Sequence, residues 1–490
     1  MNGGCTFVLP VRVKPDLHTI VCPEVHVAPS SRSGHGETRK TEAGADGEVR
    51  LRLVARARDT SPWVNTLRDA PLPPPLPSPP TALLPTTTTK ATPVYYIVLA
   101  KEMLQKILRL KCIVQMMHLR SLSTNLKENL DKMQAWQIHS YNGLEDLRLS
   151  NVRMPMITNP TDVLVKIEAT SVNPIDVAMT DGYGNTLLNV LRKTKSLSFR
   201  TVGELDLPLT LGRDFAGIVV SKGHNVGDRL EIGKEVWGVV PIAQQGCHAN
   251  YVIVDSSLVH PRPQKLSYIE AASILYAGLT AWSALWITGG LFYKTAIAVR
   301  MSKRVLVMGG SGGVGTLAIQ LLKAWNMHVI STCSSDAVEM LQNLNADAVI
   351  DYKKDDADAE IISEGPYDII LDCAKLGPEY VRMKGYPHDT YIALNSPLLN
   401  NFDHHGLIMG MAKNLGDFLK FNIPKTENKS CVKWGFFIPS QTGINVLQKL
   451  VENEEIVPVI QQVYSFQDLP QAYERLRQGH LRGKLVIDMR

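Results

Sequence analysis

The chain has 490 residues, 44% hydrophobic and 20% charged, a globular balance that excludes a fibrous or wholly disordered protein and leaves room for more than one domain. With 52 Lys and Arg against 47 Asp and Glu the net charge is +5, too slight over this length to argue for nucleic acid as a partner. No uninterrupted apolar run reaches membrane-spanning length. The seven cysteines are scattered without a CxxC pair, which favours a reduced compartment over a disulfide framework or a structural zinc site.

In chain order, residues 1–102 read as a disordered, Pro-rich arm that includes PLPPPLPSPPTALLPTTTT between Pro71 and Thr89. Proline supplies no amide donor and favours an extended, solvated backbone, so no core forms there. A Pro-rich ligand for a recognition module is the sharper alternative. Over 103–132 the text changes. From Met103 to Lys127 no Asp or Glu occurs, whereas Lys106, Arg109, Lys111, Arg120 and Lys127 do, with Leu104, Ile107, Leu108, Leu110 and Ile113 near helical spacing. A basic, acid-free amphipathic stretch has the character of a mitochondrial presequence; a solvated surface helix has the same pattern. Because presequences stand at an N-terminus, the expectation is a physiological start near Met103, with residues 1–102 an upstream extension or a gene-model artefact.

From 134 to 265 short runs rich in Val, Ile and aromatics (AWQIHSY, TDVLVKIEATSV, FAGIVVSKG, ANYVIVD) are separated by Gly, Pro, Asn or Asp, the pattern of a compact, mostly antiparallel β unit. Over 266–424 helices of ten or more residues alternate with apolar strands, which predicts an α/β region with a doubly wound parallel sheet. Residues 425–490 return to the strand-rich style. The second domain is therefore expected as an insertion in the first.

The chemistry starts at RVLVMGGSGGVGTLAIQLLKAW. Gly310, Gly312 and Gly315 follow an apolar strand, Val305 to Met308, and open a helix, the setting in which GxGxxG binds a dinucleotide. Glycine lets the chain turn tightly against a pyrophosphate, and the helix N-terminus supplies free N–H groups and a positive dipole end. Ser311, Gly312, Gly313 and Val314 would line this cradle. About 20 residues on, an NAD site carries an acidic residue for the ribose 2′-hydroxyl. Here Ser334 holds that strand end, and a hydroxyl accommodates a 2′-phosphate that a carboxylate would repel, so NADPH is favoured. Asp336, just beyond, reads with Ser335 as a cap of the next helix. Tyr352, after the third strand, is placed to reach the same phosphate, although an ordinary strand-end tyrosine fits the text equally. The sequence offers no HExxH, no paired metal-ligand spacing and no GxSxG elbow; hydride transfer requires none of these.

SVNPIDVAMTDGYG (171–184), LPLTLGRDFAGIV (207–219), AGLTAWSAL (277–285), GGSGGVG (309–315) and GHLRGKLVI (479–487) occur in this order. Together they resemble the medium-chain dehydrogenase/reductase superfamily, in its zinc-free quinone oxidoreductase branch, over roughly residues 134–490. The resemblance implies a GroES-like catalytic domain (134–265 with 425–490) carrying an inserted Rossmann domain (266–424). Where zinc-dependent relatives have a Cys ligand, this chain has Asn173; their G-H-E-x-x-G box reads Gly212-Arg213-Asp214-Phe215-Ala216-Gly217, and a guanidinium cannot ligate zinc. The resemblance further implies cofactor contacts at Ser311, Gly313, Val314, Ser334 and Tyr352, and at His480, Leu481 and Arg482 closing from the other domain, with Thr280 and Lys484 as lesser candidates. Asn173 would orient substrate near the nicotinamide. Three features depart from the family pattern: Asp372-Cys373-Ala374-Lys375-Leu376 after the fourth strand, Ala272-Ser273-Ile274-Leu275, and an extra LFYKTAIAVRM segment. The function expected is an NADPH-dependent, zinc-independent oxidoreductase that passes hydride to a quinone or activated enone. A mitochondrial role tied to ubiquinone synthesis or respiration, a membrane-protein partner and a homodimer are further implications of the resemblance. A non-catalytic, redox-sensing NADPH-binding scaffold stays open, as does a reductase of a different carbonyl.

Overall fold

The computed structural model describes residues 111, 115–116, 132–195, 207–291, 303–422 and 430–490. The arm expected over 1–102, nearly all of the presequence-like stretch and most of the LFYKTAIAVRM segment lie outside the described residues.

The first half contains β1 (Lys132–Ile138), β2 (Leu147–Arg153), β3 (Asp162–Val172), β4 (Leu209–Thr210), β5 (Asp214–Lys222), β6 (Glu235–Val239), β7 (Tyr251–Asp255) and β8 (Val259–Pro261). The second contains β9 (Arg304–Met308), β10 (His328–Cys333), β11 (Ala348–Asp351), β12 (Tyr367–Asp372), β13 (His388–Ala393) and β14 (Cys431–Trp434), and the chain closes with β15 (Ile460–Ser465) and β16 (Lys484–Asp488). A small antiparallel sheet has the order β2-β1-β4. A larger one runs β15-β16-β3-β5-β6-β8, with β7 also paired to β3. β3 is buried at every position except Lys166, because partners and core cover both its faces; its near-continuous apolar text follows from that. β7, covered on one face, alternates instead.

The six-stranded sheet is parallel throughout, in the order β11-β10-β9-β12-β13-β14. Strand order reverses between β9 and β12, and the crevice beyond the carboxyl ends of these strands is where such sheets bind ligands. This sheet extends past residue 424, the boundary read from the sequence, because Cys431–Trp434 pairs with β13 (Thr390↔Cys431 to Ala393↔Trp434). β16 then returns antiparallel to β3, Leu485 opposite Val172, so the nucleotide-binding region is an insertion.

Helix Leu275–Trp282 is buried at all eight positions, as its uniformly apolar text demands. One cluster of buried side chains runs from Ala169, Ala216 and Trp237 of the β unit through this helix to Val305 and Ile369 of the parallel sheet and Leu317 of the helix Gly313–Ala324 packed on it. By length and composition alone Tyr268–Thr288 could cross a membrane, but 78% of it is covered by the rest of the molecule.

Candidate functional site

The glycine loop follows β9 directly. A Cβ on Gly310 would stand 2.0 Å from Ser331 Oγ, and one on Gly315 2.5 Å from the Gly309 carbonyl oxygen, so neither position admits a side chain. Helix Gly313–Ala324 begins at Gly312, which offers no side-chain cap. Its first-turn N–H groups therefore have no side-chain acceptor and face the crevice end of β9.

The C-terminal segment docks onto this loop. The Gly483 amide donates to the Ser311 carbonyl at 2.8 Å, and Gly312 and Gly483 form a parallel bridge. Arg482 then gathers residues that are distant in sequence. Its Nη2 lies 2.6 Å from Ser334 Oγ, and its Nη1 3.4 Å from Ser311 Oγ. These are three of the residues expected to hold the cofactor. The other two of the segment behave differently: His480 is exposed with a left-handed backbone (φ 50°), and Leu481 packs on the core beneath β1 and β4. Val314 is partly buried against the main core. Tyr352 directly follows β11, half exposed, with its amide donated to Cys333 O at 3.0 Å beside the end of β10.

Asp336 is not the helix cap expected from the sequence. Its Oδ1 accepts from Ser334 Oγ at 2.7 Å, and its two oxygens take Arg482 Nη2 at 2.8 and 2.7 Å and Nε at 3.1 Å. The Ser334 hydroxyl and the Arg482 guanidinium hold this carboxyl down at about 2. Ser335 does not cap either; its hydroxyl donates to Asp351 Oδ2 at 2.6 Å. The helix after the turn starts at Val338 with no side-chain cap. The reading of Asp336 as a helix cap missed this pairing with Ser334 and Arg482, although Asp336 sits three places past the end of β10, close to where an acidic residue is looked for.

At the inner end of the loop a Cβ on Gly313 would be 2.8 Å from Lys484 Cδ. Lys484 Nζ reaches the Val172 carbonyl at 3.2 Å and Asn173 Oδ1. Asn173 Nδ2 donates to Asp214 Oδ1 at 2.9 Å, which also accepts from Ser171 Oγ at 2.6 Å. Asp214 Oδ2 accepts from the Tyr276 amide. Asn173, expected to orient substrate, is 1% exposed and has both ends of its amide committed to protein; what it directly orients is Lys484. Burial pushes the Asp214 carboxyl up and the Lys484 ammonium down, each toward its neutral form. Thr280, named as a lesser cofactor candidate, donates its hydroxyl to the Tyr276 carbonyl of its own helix at 2.8 Å.

Arg213 is fully buried. Its Nη1 donates to the carbonyls of Pro241 and Gln244 at 3.1 and 2.9 Å, and its Nε lies 3.6 Å from Asp176 Oδ1. That carboxylate also accepts from the Gly212 and Asn173 amides. Cation and anion are thus consumed in shaping the turn after β4. Among the described residues no group of three or more His, Cys, Asp or Glu is placed to hold a metal ion, and with a guanidinium and an engaged carboxamide at the positions in question the residues do not fit zinc.

Residues 159–264 match the family described as alcohol dehydrogenase GroES-like domain, and residues 344–487 the family described as zinc-binding dehydrogenase. The chain is 47% identical over 370 residues to a Drosophila melanogaster protein named NAD(P)H oxidoreductase RTN4IP1, mitochondrial, covering 74% of this chain and 88% of that one. It is 40% identical over 384 residues to the Homo sapiens protein of the same name, covering 77% and 94%. A solved structure of the quinone oxidoreductase from Coxiella burnetii superposes with a TM-score of 0.56 at 25% identity, over 73% of this chain and all of that one.

Proposed function

The chain belongs to the medium-chain dehydrogenase/reductase superfamily, and from that premise we propose an NADPH-dependent, zinc-independent reductase of a quinone or an activated enone. The observation that carries the cofactor half is the convergence of Ser311, Ser334 and Arg482 beside a glycine loop that tolerates no side chain at Gly310 or Gly315. Two hydroxyls and a guanidinium in one place are the donors a phosphomonoester needs. The bound dinucleotide supplies a hydride, which needs an electron-poor acceptor and no nucleophile from the protein.

In this reading the glycine loop and the first turn of helix Gly313–Ala324 bind the pyrophosphate, and Ser334 and Arg482 the 2′-phosphate. Tyr352 flanks the same end of the parallel sheet. Lys484 Nζ, steered by Asn173 Oδ1, holds a proton at the inner end of the loop, where a reduced acceptor requires one. Arg213 keeps the neighbouring turn closed with no metal. The likeness to a quinone oxidoreductase supports the acceptor class, and the relatives named mitochondrial support a mitochondrial setting linked to ubiquinone synthesis or respiration. A homodimer and a membrane-protein partner extend the proposal on the family resemblance.

Gly313→Asp brings a carboxylate to the phosphate cradle and a Cβ to within 2.8 Å of Lys484 Cδ. Fluorescence titration with NADPH is expected to show no saturable binding in this variant, whereas the parent chain binds and oxidises NADPH in the presence of short-chain quinones. Wild-type titration by Gly313→Asp would overturn the cofactor placement. Tight NADPH binding by the parent with no turnover on any quinone or enone would favour the scaffold.

A further inference from the structure

We propose that Asp336 is a built-in competitor for the cofactor's 2′-phosphate, so that the Asp336–Arg482 pair sets how the chain divides between NADPH and NADH. The inference rests on the NADPH reading above and adds to it a residue that works against that cofactor.

The two carboxylate oxygens take the Nη2 and Nε protons of Arg482 and the hydroxyl proton of Ser334, all at 2.7–3.1 Å. These are the donors assigned to the phosphate. One guanidinium face cannot serve both anions, so the phosphate binds only as the carboxylate leaves. The partners differ in freedom. Arg482 is 23% exposed, with its main-chain amide held by Gln461 Oε1 at 2.7 Å, while Asp336 is 64% exposed on the short 3-10 turn Ser335–Ala337. Asp336 is the member able to move. A 2′-phosphate carries close to two negative charges at neutral pH against one for the carboxylate, and it prevails at a cost in affinity. A ribose 2′-hydroxyl brings no anion. Asp336 then stays on Arg482, and the NADH complex is spared an uncompensated, partly buried cation. A chain with this pair accepts both cofactors with reduced preference.

The experiment is fluorescence titration of NADPH and NADH against the full chain and its D336N, R482Q and D336N/R482Q variants, with calorimetric titration of 2′,5′-ADP and 5′-AMP as probes lacking the nicotinamide. D336N is expected to tighten NADPH and 2′,5′-ADP about tenfold, equivalent to about 1.4 kcal/mol, and to leave NADH and 5′-AMP within about twofold. R482Q is expected to weaken NADPH strongly and to cancel the effect of D336N in the double variant. If R482Q weakens NADPH but D336N leaves the NADPH-to-NADH ratio unchanged, or shifts it toward NADH, the competitor role is overturned and the cofactor site stands. If R482Q leaves NADPH affinity untouched, the cofactor site itself is misplaced and the proposal falls with it. Should D336N fold poorly, D336S carries the same comparison.

Discussion

His248 is enclosed on every side. Its Nε2 lies 3.1 Å from the Ser171 carbonyl, which can only accept, so Nε2 carries the proton and Nδ1 accepts from Tyr473 OH at 2.8 Å. A Cβ on Gly212 would stand 2.5 Å from the ring, so glycine at that left-handed position (φ 94°) is what lets the imidazole in. Burial lowers its pKa to about 4, with Arg213 and Lys484 adding to the effect and the Ser171 carbonyl and Asp214 opposing it. An unfolded histidine titrates near 6.5. As pH falls below about 6.5 the unfolded chain takes up a proton that the folded chain refuses, and stability declines until about pH 4, where the folded ring protonates too. One such group contributes a slope of at most about 1.4 kcal/mol per pH unit. We therefore expect the urea midpoint to fall between pH 6.5 and 4.5, and His248→Gln, less stable at pH 7, to show a flatter fall by up to one proton. Parallel curves for the two proteins would mean that the buried ring is not neutral. At this scale the sequence was legible where a residue type has one use. A guanidinium at Arg213 cannot be a ligand, and Gly310 and Gly315 have no room. Asp336 and Lys484 were not legible in the same way, since each acts on a partner more than 100 residues away.

Helices Leu275–Trp282 and Gln441–Glu452 approach closely because each brings a glycine to the crossing. A Cβ on Gly278 would meet Leu447 Cδ1 at 2.9 Å; one on Gly443 would meet Leu279 Cδ2 at 2.5 Å and the Trp282 ring at 2.9 Å. The leucine tips at Gly278 can give way, whereas the Trp282 indole, 4% exposed in the main core, cannot. Gly443→Val should therefore cost on the order of 1–3 kcal/mol through overpacking, read as a lowered melting temperature with NADPH affinity little changed. An unaltered melting temperature would show that the crossing is loose. Strands and helices with a strong period were read from the text because burial on one or both faces writes the period. β14 was missed for the converse reason. It has four residues, of which only Val432 is buried, and it follows the helical stretch Leu398–Asn422, broken by a non-helical Gly406, after which Ile408, Met409, Met411 and Leu415 are exposed. Apolar residues there do not mark the core face, so the 424 boundary fell short of the sheet edge.

The described residues all belong to one compact unit, and the reason lies in how the insertion is closed. Val486 of β16 joins the same buried cluster as Val305 of β9 and Leu279 of the intervening helix, while Gly483 bonds to Ser311 across the glycine loop. The order of motifs showed that one domain interrupts the other; it could not show that they share a core, because residues with nearly 200 positions between them carry no mutual period. A shared core makes separate melting unfavourable, since unfolding either part exposes the buried face of the other. If the cofactor is held by groups from both parts, as proposed, it must then stabilise the whole transition. At a hundredfold excess over its dissociation constant NADPH adds about 2.7 kcal/mol, about 4 °C for a cooperative unit of roughly 360 residues, whose unfolding entropy gives about 1.3 °C per kcal/mol. Differential scanning calorimetry should give one transition for residues 132–490, displaced as a unit by NADPH and not displaced in the Gly313→Asp variant. Two transitions, with only one responding to NADPH, would mean that the Arg482 segment leaves the glycine loop before the parallel sheet melts, and the cofactor site would then belong to the inserted domain alone.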